Sequence, residues 1–516
     1  MTTVDQFAVT SGTIPASGTF AVTHADITTW STKGICVFEI SGAKTDDSQT
    51  DDMRISWGVV DHSGNAGCFA GRLEDAVGLA ATSHYFSTTA SGFVGAMIDA
   101  ASTTVNLKVA FSSAGTGGPT LSVSTGTETG FVYKAWLFAT SGSGDCIAFA
   151  MGTGDFTGAS AAMDVYAMVI GQGTNDTVST HHRLGFGAVL GDLTQRCVGF
   201  TVPRVVPISG GTAATLKLRN DRAGSYNTSS EDTLQVTAIN SNGFSATDSG
   251  TGNIEKVGFG IKLGDDDRSV NLVIEDIADE LGGPDEEVSF TELGFTPVSV
   301  LTASTLADAE DSDITDAKAG AMALGMFTAT DEGAVGVRSS VGETSTTDTG
   351  SVAGAASAIG WKDDGTVGYW GTFSQMVSSG FELTFTQSPP GGLTASPEPG
   401  KMLVLGFSGI SPLQQVDEAE GIAEAVSWHR GKIRQVDEAE GIAESVAYFV
   451  VEVFRDLTKT GRVARAGGEL GNVALMEAEE GDQEEMAVLG RVSIAGGLLG
   501  NVAGQGVGDD EDIEGD

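Results

Sequence analysis

A strand pattern that recurs along this chain constrains its fold more than composition does, because each copy of a repeated unit must bury its apolar face in the same way. In Val105, Asn106, Leu107, Lys108, Val109, Ala110 and Phe111 the odd positions are apolar and the even ones mostly polar, the period of a half-buried strand. Val270, Asn271, Leu272, Val273, Ile274 and Glu275 repeat the Val-Asn-Leu triplet 165 positions on, and Phe381, Glu382, Leu383, Thr384 and Phe385 alternate likewise. Gly95, Gly260 and Gly371 each lie ten positions before their strand. Gly117-Gly118-Pro119 and Gly282-Gly283-Pro284 follow the first two strands, while Gly391-Gly392 stands two positions earlier after the third. Glycine and proline in those places are turn chemistry.

Beyond the turns come denser apolar runs: Gly130-Phe131 to Trp136, Leu137 and Phe138; Gly294-Phe295 to Val298, Val300 and Leu301; and Met402 to Phe407. Runs without alternation read as strands covered on both faces. Upstream, a weaker match pairs an acidic or Thr-rich stretch with a glycine-bearing strand. Asp46 to Asp52 precedes Ile55, Trp57, Gly58 and Val59; Thr174 to Thr180 precedes Leu184, Phe186 and Gly187; Asp308 to Asp313 precedes Met322, Leu324 and Gly325.

These spacings predict an all-β chain of tandem antiparallel β-sandwiches of the jelly-roll or lectin type, with a propeller as the alternative. The expected division is an N-terminal β segment at 1–29, a first unit at 30–128, a second at 129–292 with an insertion near 202–237, and a third at 293–410. A short-repeat region at 411–507 and an acidic tail at 508–516, expected to be disordered, follow.

Composition supports many short strands joined by turns: 72 Gly, 11 Pro, 40% hydrophobic and 19% charged residues. The 69 acidic against 27 basic side chains give a formal charge of −42, a field that repels phosphate backbones, so no nucleic-acid partner is expected. The same acids leave Ca2+ as the one cofactor to test, although neither Asp265-Asp266-Asp267 nor Asp363-Asp364-Gly365 has the alternating spacing of a calcium loop. Cys36, Cys68, Cys146 and Cys197, widely spaced in or beside apolar runs, read as buried thiols. The first residues, MTTVDQFAVT, form no signal peptide, and no stretch is long and apolar enough for a membrane span.

Past residue 411 the repeats are shorter and sharper. QVDEAEGIAE occurs at 415–424 and 435–444, and GRVARAGGELGNVA at 461–474 returns as GRVSIAGGLLGNVA at 490–503. Repeated hairpins are expected there. The segment Arg434 to Val446 resembles the short repeats of tailed-bacteriophage structural proteins, roughly Gly-Gln-Ala-x-Glu-x-Asp-x-Ala-Gln-Pro-Val, with one extra residue before Ala443, Glu444 for Gln and Ser445 for Pro. Gly294-Phe295-Thr296-Pro297-Val298 is similar to Gly-Phe-x-Pro-x-Val openings of marine-phage virion proteins. The resemblance implies a virion component, tail-associated or fibre-like, made in the host cytoplasm and released by lysis. It implies homo-oligomers and other virion proteins as partners, and supplies no catalytic residue.

Enzymatic signatures are missing from the sequence: there is no G-x-S-x-G elbow, no phosphate-binding P-loop and no strict G-x-G-x-x-G. A non-enzymatic role is therefore expected, with no catalytic, cofactor-binding or metal residues assigned. Trp361, Asp363, Asp364, Tyr369 and Trp370 are the candidate ligand contacts, an aromatic and acidic mix suited to stacking on a host-surface glycan; a partly buried sheet edge explains the aromatics equally well. The functional expectation is a virion structural or host-attachment protein. A bacterial adhesin or carbohydrate-binding array is the alternative, and a polysaccharide-degrading enzyme on the same scaffold is a third.

Overall fold

Short runs of Val, Ile, Phe, Ala and Thr broken by Gly and Asp form strands here, and nearly every described element is one. The computed structural model describes residues 5–50, 53–73, 83–87, 92–99, 104–126, 128–172, 179–180, 182–202, 214–226, 232–250, 254–264, 268–277, 286–305, 311–317, 319–340, 349–361, 367–387 and 400–408, and, further on, 425–429, 432–436, 464–466, 474–475, 493–495 and 503–504. The chain divides into two compact units, residues 1–410 and 411–516.

Three sets of strands build the first of these. Unit 1 contains β1 (Gln6–Thr13), β2 (Gly18–Ala21), a helical turn α1 (Trp30–Lys33), β3 (Gly34–Ser41), β4 (Ser48–Thr50), β5 (Met53–Asp61), β6 (Ala66–Leu73), β7 (Ser83–Ser87), β8 (Phe93–Ile98), β9 (Val105–Gly115), β10 (Gly118–Gly126) and β11 (Val132–Ala139). Unit 2 contains β12 (Asp145–Met151), β13 (Phe156–Thr157), β14 (Val165–Gln172), β15 (Ser179–Thr180), β16 (His182–Leu190), β17 (Gln195–Val202), β18 (Ala214–Arg219), β19 (Gly224–Tyr226), β20 (Asp232–Asn240), β21 (Gly243–Ser249) and β22 (Ile254–Lys262). Unit 3 contains β23 (Val270–Ile277), β24 (Glu286–Phe290), β25 (Pro297–Thr305), β26 (Ser312–Ala317), β27 (Ala319–Thr328), β28 (Glu332–Ser340), β29 (Thr349–Gly354), β30 (Ala358–Trp361), β31 (Val367–Val377), β32 (Gly380–Gln387) and β33 (Gly400–Ser408).

Each unit is an antiparallel sandwich with one connectivity. In unit 1 a large sheet ordered β1-β11-β3-β5-β6-β7 faces a four-stranded sheet ordered β2-β10-β9-β8, and the other two units repeat both orders with every strand advanced by eleven or twenty-two. The first three strands alternate between sheets as in a jelly roll, whereas β5–β7 and β8–β10 run as meanders.

The seventh strand of each large sheet comes from another unit. Strand β15 of unit 2 completes the sheet of unit 1, β26 of unit 3 that of unit 2, and β4 of unit 1 that of unit 3, so the exchange closes a cycle within one chain. Two arms enter their host sheet through the same device. Asp47 and Asp311 sit at φ 55° and 53°, in the left-handed region that Asp tolerates better than most residues. The amide of each donates to the host strand (Asp47 to Ala353 O, 2.8 Å; Asp311 to Leu218 O, 2.9 Å). Each carboxylate then accepts the amide two residues on, from Ala355 at 3.2 Å and Asn220 at 2.9 Å. The acidic stretches thus supply clasps.

Both faces of the large sheets are covered, which is why β3 and β11 are buried at every position. On β11, Tyr133, Ala135 and Leu137 point into the sandwich of unit 1, while Val132, Trp136 and Phe138 point into a core shared by all three units. Trp136 lies 5.7 Å from Phe259 of unit 2 and 5.5 Å from Phe407 of unit 3, and its indole donates to Ser299 Oγ of unit 3 at 2.7 Å. At one end of this core Asp5 accepts from Thr140 Oγ1, Ser141 N and Gly264 N and faces Arg268 Nε at 3.4 Å, gathering the start of the body and both junctions between units. Cys36, Cys68, Cys146 and Cys197 are all buried.

The strand register corrects the unit edges to about 5–140, 145–264 and 268–408. Residues 1–29 hold the first two strands of unit 1, and 202–237 holds β18, β19 and the start of β20, which have counterparts in both other units, so it is no insertion. The Val-Asn-Leu match equated unlike strands, since Val105 opens β9, Val270 opens β23 and Phe381 lies in β32. Alternation is common to every half-buried strand and carries no register. The weaker upstream match is the true one. Gly58, Gly187 and Gly325 occupy the same place in β5, β16 and β27, where a Cβ would run into the carbonyl oxygens of Val94, Ala223 and Ser357 respectively, so the two sheets can approach only over glycine.

In residues 411–516, β34 (Ala425–His429) and β35 (Lys432–Val436) form an antiparallel hairpin. The later repeats differ from the expected hairpins: β36 (Ala464–Ala466) pairs in parallel with β38 (Ser493–Ala495), and β37 (Ala474–Leu475) with β39 (Ala503–Gly504). At these strands, like positions of the two sequence copies pair with each other.

Candidate functional site

Strand direction gives each sandwich two unlike ends. The end where the first strand begins carries tight turns, with residues 116–117, 241–242 and 378–379 joining the ninth strand to the tenth in the three units. At the opposite, far end the sixth strand of each unit ends and the seventh begins, and so do the last two strands of unit 3; the intervening residues 74–82, 203–213, 341–348 and 388–399 lie outside the described residues. These far-end connections differ in length and sequence between units, and Pro203, Pro207, Pro389, Pro390, Pro397 and Pro399 fall in them.

Of the candidate contacts of unit 3, Trp361, Tyr369 and Trp370 lie on strands that run to this end. Trp361 closes β30 and pairs with Val367, while Tyr369 and Trp370 in β31 pair with Gly360 and Ile359. Asp363 and Asp364 lie outside the described residues. The half-buried ring of Trp370 packs against Ala321, Ala323, Val352 and Ile359 between the sheets, in space that Gly354 leaves by lacking a Cβ. Trp370 therefore has a packing role, and the strands place its neighbours Trp361 and Tyr369 at the far end. Among the described residues no group of three or more His, Cys, Asp or Glu side chains is placed to hold a metal ion, and no helix is long and apolar enough to cross a membrane. The Asp265–Asp267 turn is outside the described residues.

Unit 2 carries a cluster at its far end that sequence reading missed. The equivalence fixed by Gly58, Gly187 and Gly325 aligns Lys256 with Tyr133 and Met402, Asp248 with Val123 and Phe385, and Asp232 with Leu107 and Tyr369. Where the other units place mostly apolar side chains, unit 2 places a lysine and two aspartates, with Tyr226 beside them on β19. Lys256 is fully buried and donates to Asp248 Oδ2 and to Gly152 O, both at 2.9 Å. Gly154 N donates to the same Asp248 oxygen at 2.7 Å, and Arg183 Nη1 lies 3.7 Å from the buried Asp232 carboxylate. Two polar atoms in the cluster, Tyr226 OH and Asp248 Oδ1, are buried with no protein partner.

Burial sets the electrostatics. It lowers the Lys256 ammonium below its ordinary value, against the pull of Asp248, and raises the Glu255 carboxyl to about 7. It also raises the Tyr226 phenol, with Asp232 adding to the effect. Burying charged groups where the siblings place apolar ones costs stability unless the pairs are well made, so their presence in one copy marks a specialised site. Lys256, Asp232 and Tyr226 are sealed from solvent, so the arrangement is an internal network of ion pairs and hydrogen bonds at the far end of the sandwich. A signal was present in the sequence: Asp232, Asp248 and Lys256 stand in the inward register of strands whose next inward residues are Leu234, Ala246 and Ile254.

Comparison with family models, with curated proteins and with solved structures found no match to this chain.

Proposed function

We propose that the protein is a non-enzymatic virion component, tail-associated or fibre-like, whose body of three sandwiches serves host attachment. The observation that carries this reading is the body itself, in which a strand-exchanged cycle joins three sandwiches around one shared core. The phage-like repeats of 434–446 and the parallel pairing of strands from the copies at 461–474 and 490–503 support it. We expect further copies of the chain and other virion proteins as partners, and the virion as its location. Immunogold electron microscopy of particles from the source should label a projection or the tail. A protein that stays off the particles, as a lone monomer, would overturn the proposal.

A second reading, an adhesin or carbohydrate-binding module, is favoured by Trp361 and Tyr369, which the strands place at the far end of unit 3. A glycan array at high protein loading, with Ca2+ present, tests it. Binding lost on Trp361→Ala would support it, and an empty array would remove it.

A further inference from the structure

The cycle has three seams but only two covalent links. Residues 140–144 join unit 1 to unit 2 and 264–269 join unit 2 to unit 3, so the seam between units 3 and 1 is held by non-covalent contacts alone. Among the described residues it includes β4 on β29, the Trp136–Ser299 hydrogen bond, Asp5 against Arg268, and His24 Nε2 at 3.5 Å from Asp331 Oδ2. The polar residues of the shared core also gather here. Glu39 aligns with Val169 and Ala303 of the other units, and its cross-strand neighbour Lys134 with Val257 and Leu403.

Glu39 is 2% exposed, and one carboxylate oxygen has no partner. It borders a small cavity, with room for about one water, among Val37 and Trp57 of unit 1, Phe186 of unit 2, and Leu301 and Leu324 of unit 3. Lys134 does not neutralise it, because its ammonium is 2.7 Å from Asp46 Oδ1. The other charged groups around the seam are Asp47 on the arm and Glu332 and Asp331 of unit 3; on the unit 2 side the cavity presents only Phe186.

We propose that the seam between units 3 and 1 is a pH-sensitive gate, closed while Glu39 is protonated and loosened when it ionises. Burial holds the Glu39 carboxyl at about 8 against an ordinary 4.5, and Glu332 is shifted the same way by burial. The folded state therefore retains a proton that the unfolded chain has released. Its stabilising effect is complete below the ordinary value and is lost as pH rises through about 8.

Hydrogen exchange of the intact protein, corrected for the intrinsic rate at about pH 6 and about pH 9, tests the gate. In the wild type, protection of Ser48–Thr50 and Thr349–Gly354 should fall by about tenfold or more relative to β18 and β26, which form the linked seam between units 2 and 3. Glu39→Gln, which keeps the shape without the titration, should hold its protection at both values. Glu39→Val, the residue unit 2 carries at this position, should do the same and covers the case in which the glutamine variant does not fold. Equal loosening of both seams, an unchanged unlinked seam at high pH, or the same loss in either variant would overturn the proposal.

Discussion

Units 1 and 2 share a connectivity and differ most at the same inward positions. Unit 1 packs Leu107, Val123 and Tyr133 inside the far end of its sandwich, and unit 2 packs Asp232, Asp248 and Lys256. Since the backbone register is held in common, the difference isolates what the polar residues cost and what they are for. Removing Asp248 alone should destabilise the body most, by about 3–5 kcal/mol, because Lys256 is left buried without its carboxylate. The double replacement Asp248→Val with Lys256→Met installs residues found at those positions in units 1 and 3, and should be neutral or more stable by about 1–4 kcal/mol. Chemical denaturation of both variants measures the contrast. A double variant as damaged as the single one would mean that the lysine and aspartate are structural, which breaks the comparison.

The shared core offers a second contrast between copies. Trp136 of unit 1 stands where units 2 and 3 have Phe259 and Leu405, and its ring packs on both other units while its N–H donates to Ser299 of unit 3. Trp136→Phe leaves a small cavity and one lost buried hydrogen bond, a cost of about 1–3 kcal/mol. The melt should stay a single transition if the three units unfold together. A split into separate transitions would show that the hub, and not the exchanged strands, couples them.

The arms give a smaller and sharper test, because copies 1 and 3 here agree. Asp311→Ala loses the acceptor for Asn220 N and leaves alanine in the left-handed region, so about 1–2 kcal/mol should be lost, and Asp47→Ala should behave alike. Asn at either position keeps both the conformation and an acceptor, and should cost a few tenths of a kcal/mol at most. Unequal effects of the two alanine variants would mean that the clasps are not equivalent.

These contrasts also mark how far the sequence could be read. The all-β architecture was legible because glycine and proline punctuate every apolar run, and the doubly covered strands were legible because Trp136-Leu137-Phe138 and Met402 to Phe407 lack alternation. The unit edges were not, since alternation at Val105, Val270 and Phe381 is a property of any half-buried strand, whereas Gly58, Gly187 and Gly325 answer to a close approach that only the folded sheets reveal. Strand exchange left no local trace: Ser48–Thr50 takes its partner from residues some three hundred positions away. The aromatic stretch was visible as a cluster, but Trp370 turned out to fill space beside Gly354. The polar cluster of unit 2 needed the register before its inward acids could be told from outward ones.

The smallest contrast concerns one turn. In unit 1 the turn between β5 and β6 places Gly64 at φ 88°, its amide donating to Asp61 O at 3.0 Å. In unit 2 the matching turn places Leu193 at φ 71°, its amide donating to Leu190 O at 2.9 Å, with the side chain 38% exposed. A leucine exposed to this degree is only partly packed and carries the left-handed penalty of about 1 kcal/mol. Leu193→Gly should therefore stabilise the body, by less than that figure because glycine also raises the entropy of the unfolded chain. A thermal melt would read a small upward shift. A downward shift would show that the side chain makes a stabilising contact, and would separate this turn from its counterpart in unit 1.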